Sequence, residues 1–159
     1  MDLRVELVPA ELTLPLRQQV LRPTPALDEI PVPGEDRPEA AHVAALTGDG
    51  RVVGTAVLVP EPFGALPDRA DAWRLRGLAV PDDLRGRGVG GRVLRYALGQ
   101  VALRGGGLVW ARVRDPARGF YQRQGFTAAG DPFSEPAAPD GRFTGPYVEM
   151  WRDVRMPVD

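Results

Sequence analysis

The sequence predicts an α/β fold, a sheet with helices on both faces. Three observations carry this expectation. Short β-rich runs separated by turn residues fill the first half of the chain. A succession of strand, helix, strand, helix and strand fills the second half. The longest helical pattern opens on a glycine-rich turn, LRGRGVGGRVL. With 159 residues the chain can bury a real core. A single domain over residues 1–159 is expected.

LRVELV, from Leu3 to Val8, is the first strand. A helix follows from about Thr13 to Leu21, stopped by Pro23. PTPALDEIPVPGEDRPEAA has no period and is expected to be a surface loop or lid. HVAAL and RVVGTAVLVP flank Gly48-Asp49-Gly50 and form the clearest hairpin. After the loop EPFGALPDRAD, the run Ala72 to Val80 is a strand whose apolar end points at the glycine-rich turn. From Val89, residues Val93, Leu94, Ala97, Leu98 and Val101 follow helical spacing until Gly105-Gly106-Gly107. Leu108 to Val113 is a buried-type strand, and Asp115-Pro116 opens a short helix that closes at Gly125. A polar, Pro-rich loop then leads to a last strand, YVEMW.

Composition excludes several chemistries. The 20 basic residues are all Arg and are balanced by 21 acidic ones, for a net charge of −1. That balance argues against nucleic acid or an anionic membrane as partner, so any phosphate site must be local. Without Lys, a Walker P-loop, a Schiff-base lysine and a lysine general base are excluded. Without Cys there is no thiolate chemistry, and with one His no metal site is expected. MDLRVELVPAEL holds acidic residues and no long apolar run, so neither signal peptide nor membrane span is expected, and the protein is read as cytoplasmic.

Leu84 to Leu94 packs four glycines and three arginines into a turn that opens a helix. Such a turn exposes backbone N–H groups at the positive end of the helix dipole, which suits an anion. Gly86, Gly88 and Gly91 formally satisfy the dinucleotide pattern G-x-G-x-x-G. There, however, the strand runs directly into the first glycine, whereas here Pro81 to Arg85 intervene. Arginines left idle in the first helical turn would oppose the dipole, so anion binding outweighs a purely packing role.

LRGLAVPDDLRGRGVGGRVL resembles the signature of the GNAT superfamily of acyl-CoA-dependent N-acyltransferases, with Arg85, Gly88 and Gly90 filling its R/Q-x-x-G-x-G/A turn. Downstream, ARGFYQRQGF resembles that family's A-x-x-F-Y-x-K-x-G-F block through Ala117, Phe120, Tyr121, Gly125 and Phe126, with Arg123 at the Lys position. The resemblance is good from about Leu75 to Phe126 and loose before it. It implies a GNAT-like mixed, mostly antiparallel twisted sheet of about six to seven strands. It also implies a central splay between the strands at about 72–80 and 108–113.

The resemblance further implies that acetyl-CoA is the co-substrate. Its pyrophosphate would lie on Arg85, Gly86, Arg87, Gly88, Val89 and Gly90, and its pantetheine along Leu78, Ala79 and Val80. The Leu78 amide would polarise the thioester, and Tyr121 would protonate the departing thiolate. For Tyr121 the alternative is ordinary packing; residues one apart on a helix face about 100° apart, so Phe120 can pack while Tyr121 points elsewhere. Many family members carry an Asn before that helix; this chain has Arg114 and Asp115 there and no Asn at all.

The general base is open between Glu149, in the last strand with Tyr147 and Trp151 on one face, and a water chain. LRQQVLRP, WRLRGLAV and GPYVEM loosely resemble an ElaA-like branch, which makes Arg17, Arg22, Arg76 and Tyr147 candidates for the acceptor pocket. Three arginines meeting there would suit an acidic amine. His42 has no motif and is read as structural. The leading reading is an N-acetyltransferase acting on a primary amine of a small molecule in a ternary complex. The alternative is a sensor that binds acyl-CoA without turnover. The fold is compatible with a homodimer.

Overall fold

The computed structural model describes residues 2–21, 34–136 and 143–155. The elements run β1 (Leu3–Leu7), α1 (Ala10–Leu21), β2 (Ala41–Thr47), β3 (Val52–Pro60), β4 (Ala72–Ala79), α2 (Val89–Leu103), β5 (Gly107–Arg114), α3 (Arg118–Arg123), β6 (Thr127–Pro136) and β7 (Phe143–Val154). One seven-stranded sheet has the order β1-β2-β3-β4-β5-β7-β6. Every neighbouring pair is antiparallel except β4 and β5.

Alternation sorts the strands into two faces. Val43 and Ala45 of β2, Ala56 and Leu58 of β3, Leu75 of β4, Val109 and Ala111 of β5, and Val148 and Met150 of β7 pack with Val89, Val93, Leu94, Ala97, Leu98 and Val101 of α2. These six α2 residues all follow the spacing read from sequence. Val57 and Val59 of β3 lie on the opposite face, which α1 covers over β2 to β4. On that face, farther along, Phe63, Ala72, Leu108 and Trp110 form a smaller cluster with Phe63 stacked on Trp110 at 5.0 Å.

Two elements differ from expectation. Helix α1 starts at Ala10, before Thr13, and continues through Pro15. That proline is the sixth residue of the helix, which forgoes there the one bond that an N–H would give to the Glu11 carbonyl. Strand β6 replaces the expected loop. It carries Gly130, Pro132 and Pro136 and slips register against β7 at two places. As an edge strand it needs hydrogen-bond partners on one side only, so it tolerates these prolines.

The feature that shapes the site is the seam between β4 and β5. They pair only at Ala72, Trp73 and Arg74, opposite Leu108, Val109 and Trp110. Beyond Arg74 the two strands diverge, as the resemblance implies.

Candidate active site

Three structures converge at the open end of this splay. The first is the glycine-rich turn. Gly86 and Gly88 have φ of +79° and +80°, the left-handed region that glycine enters without strain. Gly88 is the N-cap of α2 and brings no side-chain cap, and the first turn holds no acidic residue. The amides that open α2 are therefore left for an external acceptor, in space that a β-carbon on Gly86 or Gly88 would enter unopposed. Among the turn's arginines, Arg92 donates to the Leu3 carbonyl at 3.1 Å, Arg85 pairs with exposed Asp82 at 3.1 Å, and Arg87 is exposed.

The second is a bulge in β4. Against β3, Thr55 pairs with Ala79 and Val57 with Arg76, so β4 carries one extra residue between the two pairs. Gly77 sits there with φ +63°, and its carbonyl accepts a 2.9 Å hydrogen bond from Thr55 Oγ1. Gly77 and Leu78 thus fall between the two paired positions, where β5 has also turned away. A lone glycine inside WRLRGLAV was the sequence signal for this bulge.

The third is α3. A β-carbon at Gly90 would lie 3.7 Å from both the Phe120 ring and the Val80 side chain, which ties the turn, the end of β4 and α3 together. Tyr121 is 8% exposed, stacks on Phe120 and meets Phe126 edge-on, each at 5.3 Å. The expectation that Phe120 packs inward while Tyr121 points elsewhere is corrected: Tyr121 is the more buried of the two, and Phe120 lies half-buried over Gly90. Burial pushes the Tyr121 hydroxyl above the ordinary tyrosine range, so it holds its proton.

The acceptor candidates fare differently. Arg17 is corrected as a free guanidinium: it is 0% exposed and its Nη1 and Nη2 donate to Glu35 Oε1 and Oε2 at 3.1 and 2.8 Å. A sealed, neutralised cation cannot also receive a carboxylate from solvent. Arg22 lies outside the described residues. Arg76 pairs with Val57, and Tyr147 packs on Phe133 at 6.0 Å. Both are on the α1 side of the sheet, away from α2. On that side Glu149 stands opposite Arg112 and pairs with it at 3.6 Å. Glu35 was missed because it sits in an aperiodic acidic loop. His42 Nε2 donates to the Glu35 carbonyl, 2.9 Å away, a structural role. Among the described residues no group of His, Asp or Glu could hold a metal, and no helix is long and apolar enough to cross a membrane.

An uncapped glycine turn thus stands at the mouth of a splayed parallel pair, beside a bulged strand. The profile of the acetyltransferase (GNAT) family matches residues 11–126, and the chain belongs to that family. Over 153 residues it is 27% identical to the uncharacterized N-acetyltransferase YitI of Bacillus subtilis (strain 168), covering 96% of this chain and 97% of YitI. Its backbone matches that of an aminoglycoside 6′-N-acetyltransferase complexed with coenzyme A, with TM-score 0.68 and 17% identity over 98% of this chain and 99% of the other. It matches Escherichia coli ElaA with TM-score 0.65 and 18% identity over 95% of this chain and 98% of ElaA. At such identities the structural likeness speaks for the fold and leaves the acceptor open.

Proposed function

We propose that the protein transfers the acetyl group of acetyl-CoA to the primary amine of a small molecule, by direct attack within a ternary complex. The observation that carries this reading is the open N-terminus of α2, built on Gly86 and Gly88 in the left-handed region at the mouth of the β4/β5 splay. Its amides, with Arg85 and Arg87, suit a pyrophosphate. Val80, Ala79 and Leu78 offer backbone to the pantetheine, because β5 no longer pairs with them.

The remaining requirements of the reaction fall to groups of this chain or, for the base, to water. The Leu78 amide, displaced by the bulge, donates to the oxygen on which charge develops. Tyr121 keeps its proton under ordinary conditions and gives it to the departing sulfur. The amine approaches from the α1 side, past Arg76 and Tyr147. Glu149, held by Arg112, or water takes its proton. With Arg17 occupied by Glu35, the set of arginines that would suit an acidic acceptor loses one member.

The test is a screen of amines, amino acids and peptides with acetyl-CoA, followed by thiol release. Acetyl-CoA-dependent product with one class of small amine is the expected result. Tight acetyl-CoA binding with no acceptor in any class would instead favour the acyl-CoA sensor.

A further inference from the structure

Thr13, Arg17, Glu35, His42 and Thr55 are the buried polar side chains among the described residues, and all lie on the α1 side of β2 to β4. Burying an ion pair there costs desolvation that apolar side chains of similar volume would avoid, so its geometry asks for an explanation. We infer that Arg17 is a positioning residue for acetyl transfer: braced by Glu35, it fixes the β4 bulge at Gly77, and with it the peptide groups that receive the thioester. The inference rests on the acetyl-transfer reading above.

The brace is anchored at both ends. At one end, Gly34 has φ +83°, and a β-carbon there would fall 2.8 Å from Val59 Cγ1, so the chain entering Glu35 lies directly on β3. The Glu35 carbonyl is bonded to His42 Nε2 at 2.9 Å. The Glu35 carboxylate then takes both terminal nitrogens of Arg17, while Arg17 Nη1 also donates to Thr13 Oγ1 at 3.2 Å. At the other end, Arg17 Nε is buried with no hydrogen-bond partner among the described residues. It lies where a β-carbon on Gly77 would come within 3.0 Å.

The planar guanidinium thus fills the space beneath the bulge with its third edge while its other two nitrogens are pinned. Thr55 holds the Gly77 carbonyl from β3. The β5 ladder has ended at Arg74, so the α1 side supplies the support that a paired strand would normally give. Misplacing a reacting group by about 1 Å can cost on the order of 10²-fold in rate, which makes such support worth its desolvation.

The experiment uses the full chain with acetyl-CoA carrying a ¹³C carbonyl. Infrared spectroscopy reads the carbonyl stretch of the bound thioester, calorimetry reads affinity for acetyl-CoA and for coenzyme A, and kcat is measured with the amine found in the screen. Arg17→Lys keeps a charge for Glu35 but loses the planar edge. The double variant Arg17→Met with Glu35→Met removes the pair as a unit and leaves no buried lone charge, so the two variants can be read independently.

In the wild type the bound stretch is expected to be lowered relative to free acetyl-CoA. In each folded variant it should return toward the free value and kcat should fall by about 10²-fold, with coenzyme A affinity unchanged. A folded variant with the wild-type stretch and kcat would overturn the role of Arg17 alone. A wild-type protein that does not bind acetyl-CoA would overturn the acetyl-transfer reading, and this inference with it.

Discussion

Thr55 Oγ1 donates to the carbonyl of Gly77 at 2.9 Å, so a side chain of β3 holds β4 at the one point where the ladder between them skips a residue. Thr55→Val keeps the shape and deletes the donor. The bond is part-buried, so urea denaturation should show a loss of about 0.5–1.5 kcal/mol, the ordinary net value of a hydrogen bond. The variant should also lose kcat while retaining affinity for coenzyme A. Unchanged stability would mean that water reaches the Gly77 carbonyl.

Coenzyme A and acetyl-CoA should each raise the melting temperature, because a ligand that binds only the folded state stabilises it by about 2.7 kcal/mol at 100 times its Kd. NAD should not. Equal protection by NAD in a thermal scan would return the glycine turn to the dinucleotide reading.

Gly88→Val and Arg85→Glu should both weaken coenzyme A binding in calorimetry. Valine at φ +80° strains the cap and puts a branched carbon where phosphate would approach, while glutamate puts negative charge beside it. Arg85 is exposed, so Arg85→Glu should leave the far-UV circular dichroism unchanged. Full affinity in that variant would move the anion off this turn.

Tyr121→Phe should lower kcat by roughly 10²–10⁴-fold with little change in coenzyme A affinity, the range expected for a general acid. Burial raises the Tyr121 pKa above its ordinary 10.0, so the wild-type rate should not fall through ionisation of this group up to pH 10. The same shift has a sign for stability. Above pH 10 the unfolded chain releases this proton first, so the folded state loses stability as pH rises further. Tyr121→Phe should flatten that part of the stability curve.

Legibility in the sequence followed contiguity. The glycine turn, α2 and the Phe120-Tyr121 block were readable because each is a short run whose chemistry lies in neighbouring positions. Arg17 and Glu35 were not, because their partnership spans 18 residues and crosses a segment without periodicity. Nothing local distinguishes a buried arginine from a solvated one. The choice between Phe120 and Tyr121 failed for a related reason. Helical geometry gives the angle between them and not the direction of the core, which β4 and α2 set from far along the chain. Strand β6 was hidden by its prolines, which are informative against central strands and nearly silent about edges.

The short β4/β5 ladder makes the sheet a pair of jaws. β1 to β4 form one, β5 to β7 the other, and three residue pairs with the footing of α2 form the hinge side. On the proposed function, a thioester laid into the gap would act as a rivet, replacing hydrogen bonds that the diverging strands forgo. Product release would then also loosen the sheet. Hydrogen exchange in strands as distant as β1 and β6 becomes a gauge of whether the gap is filled.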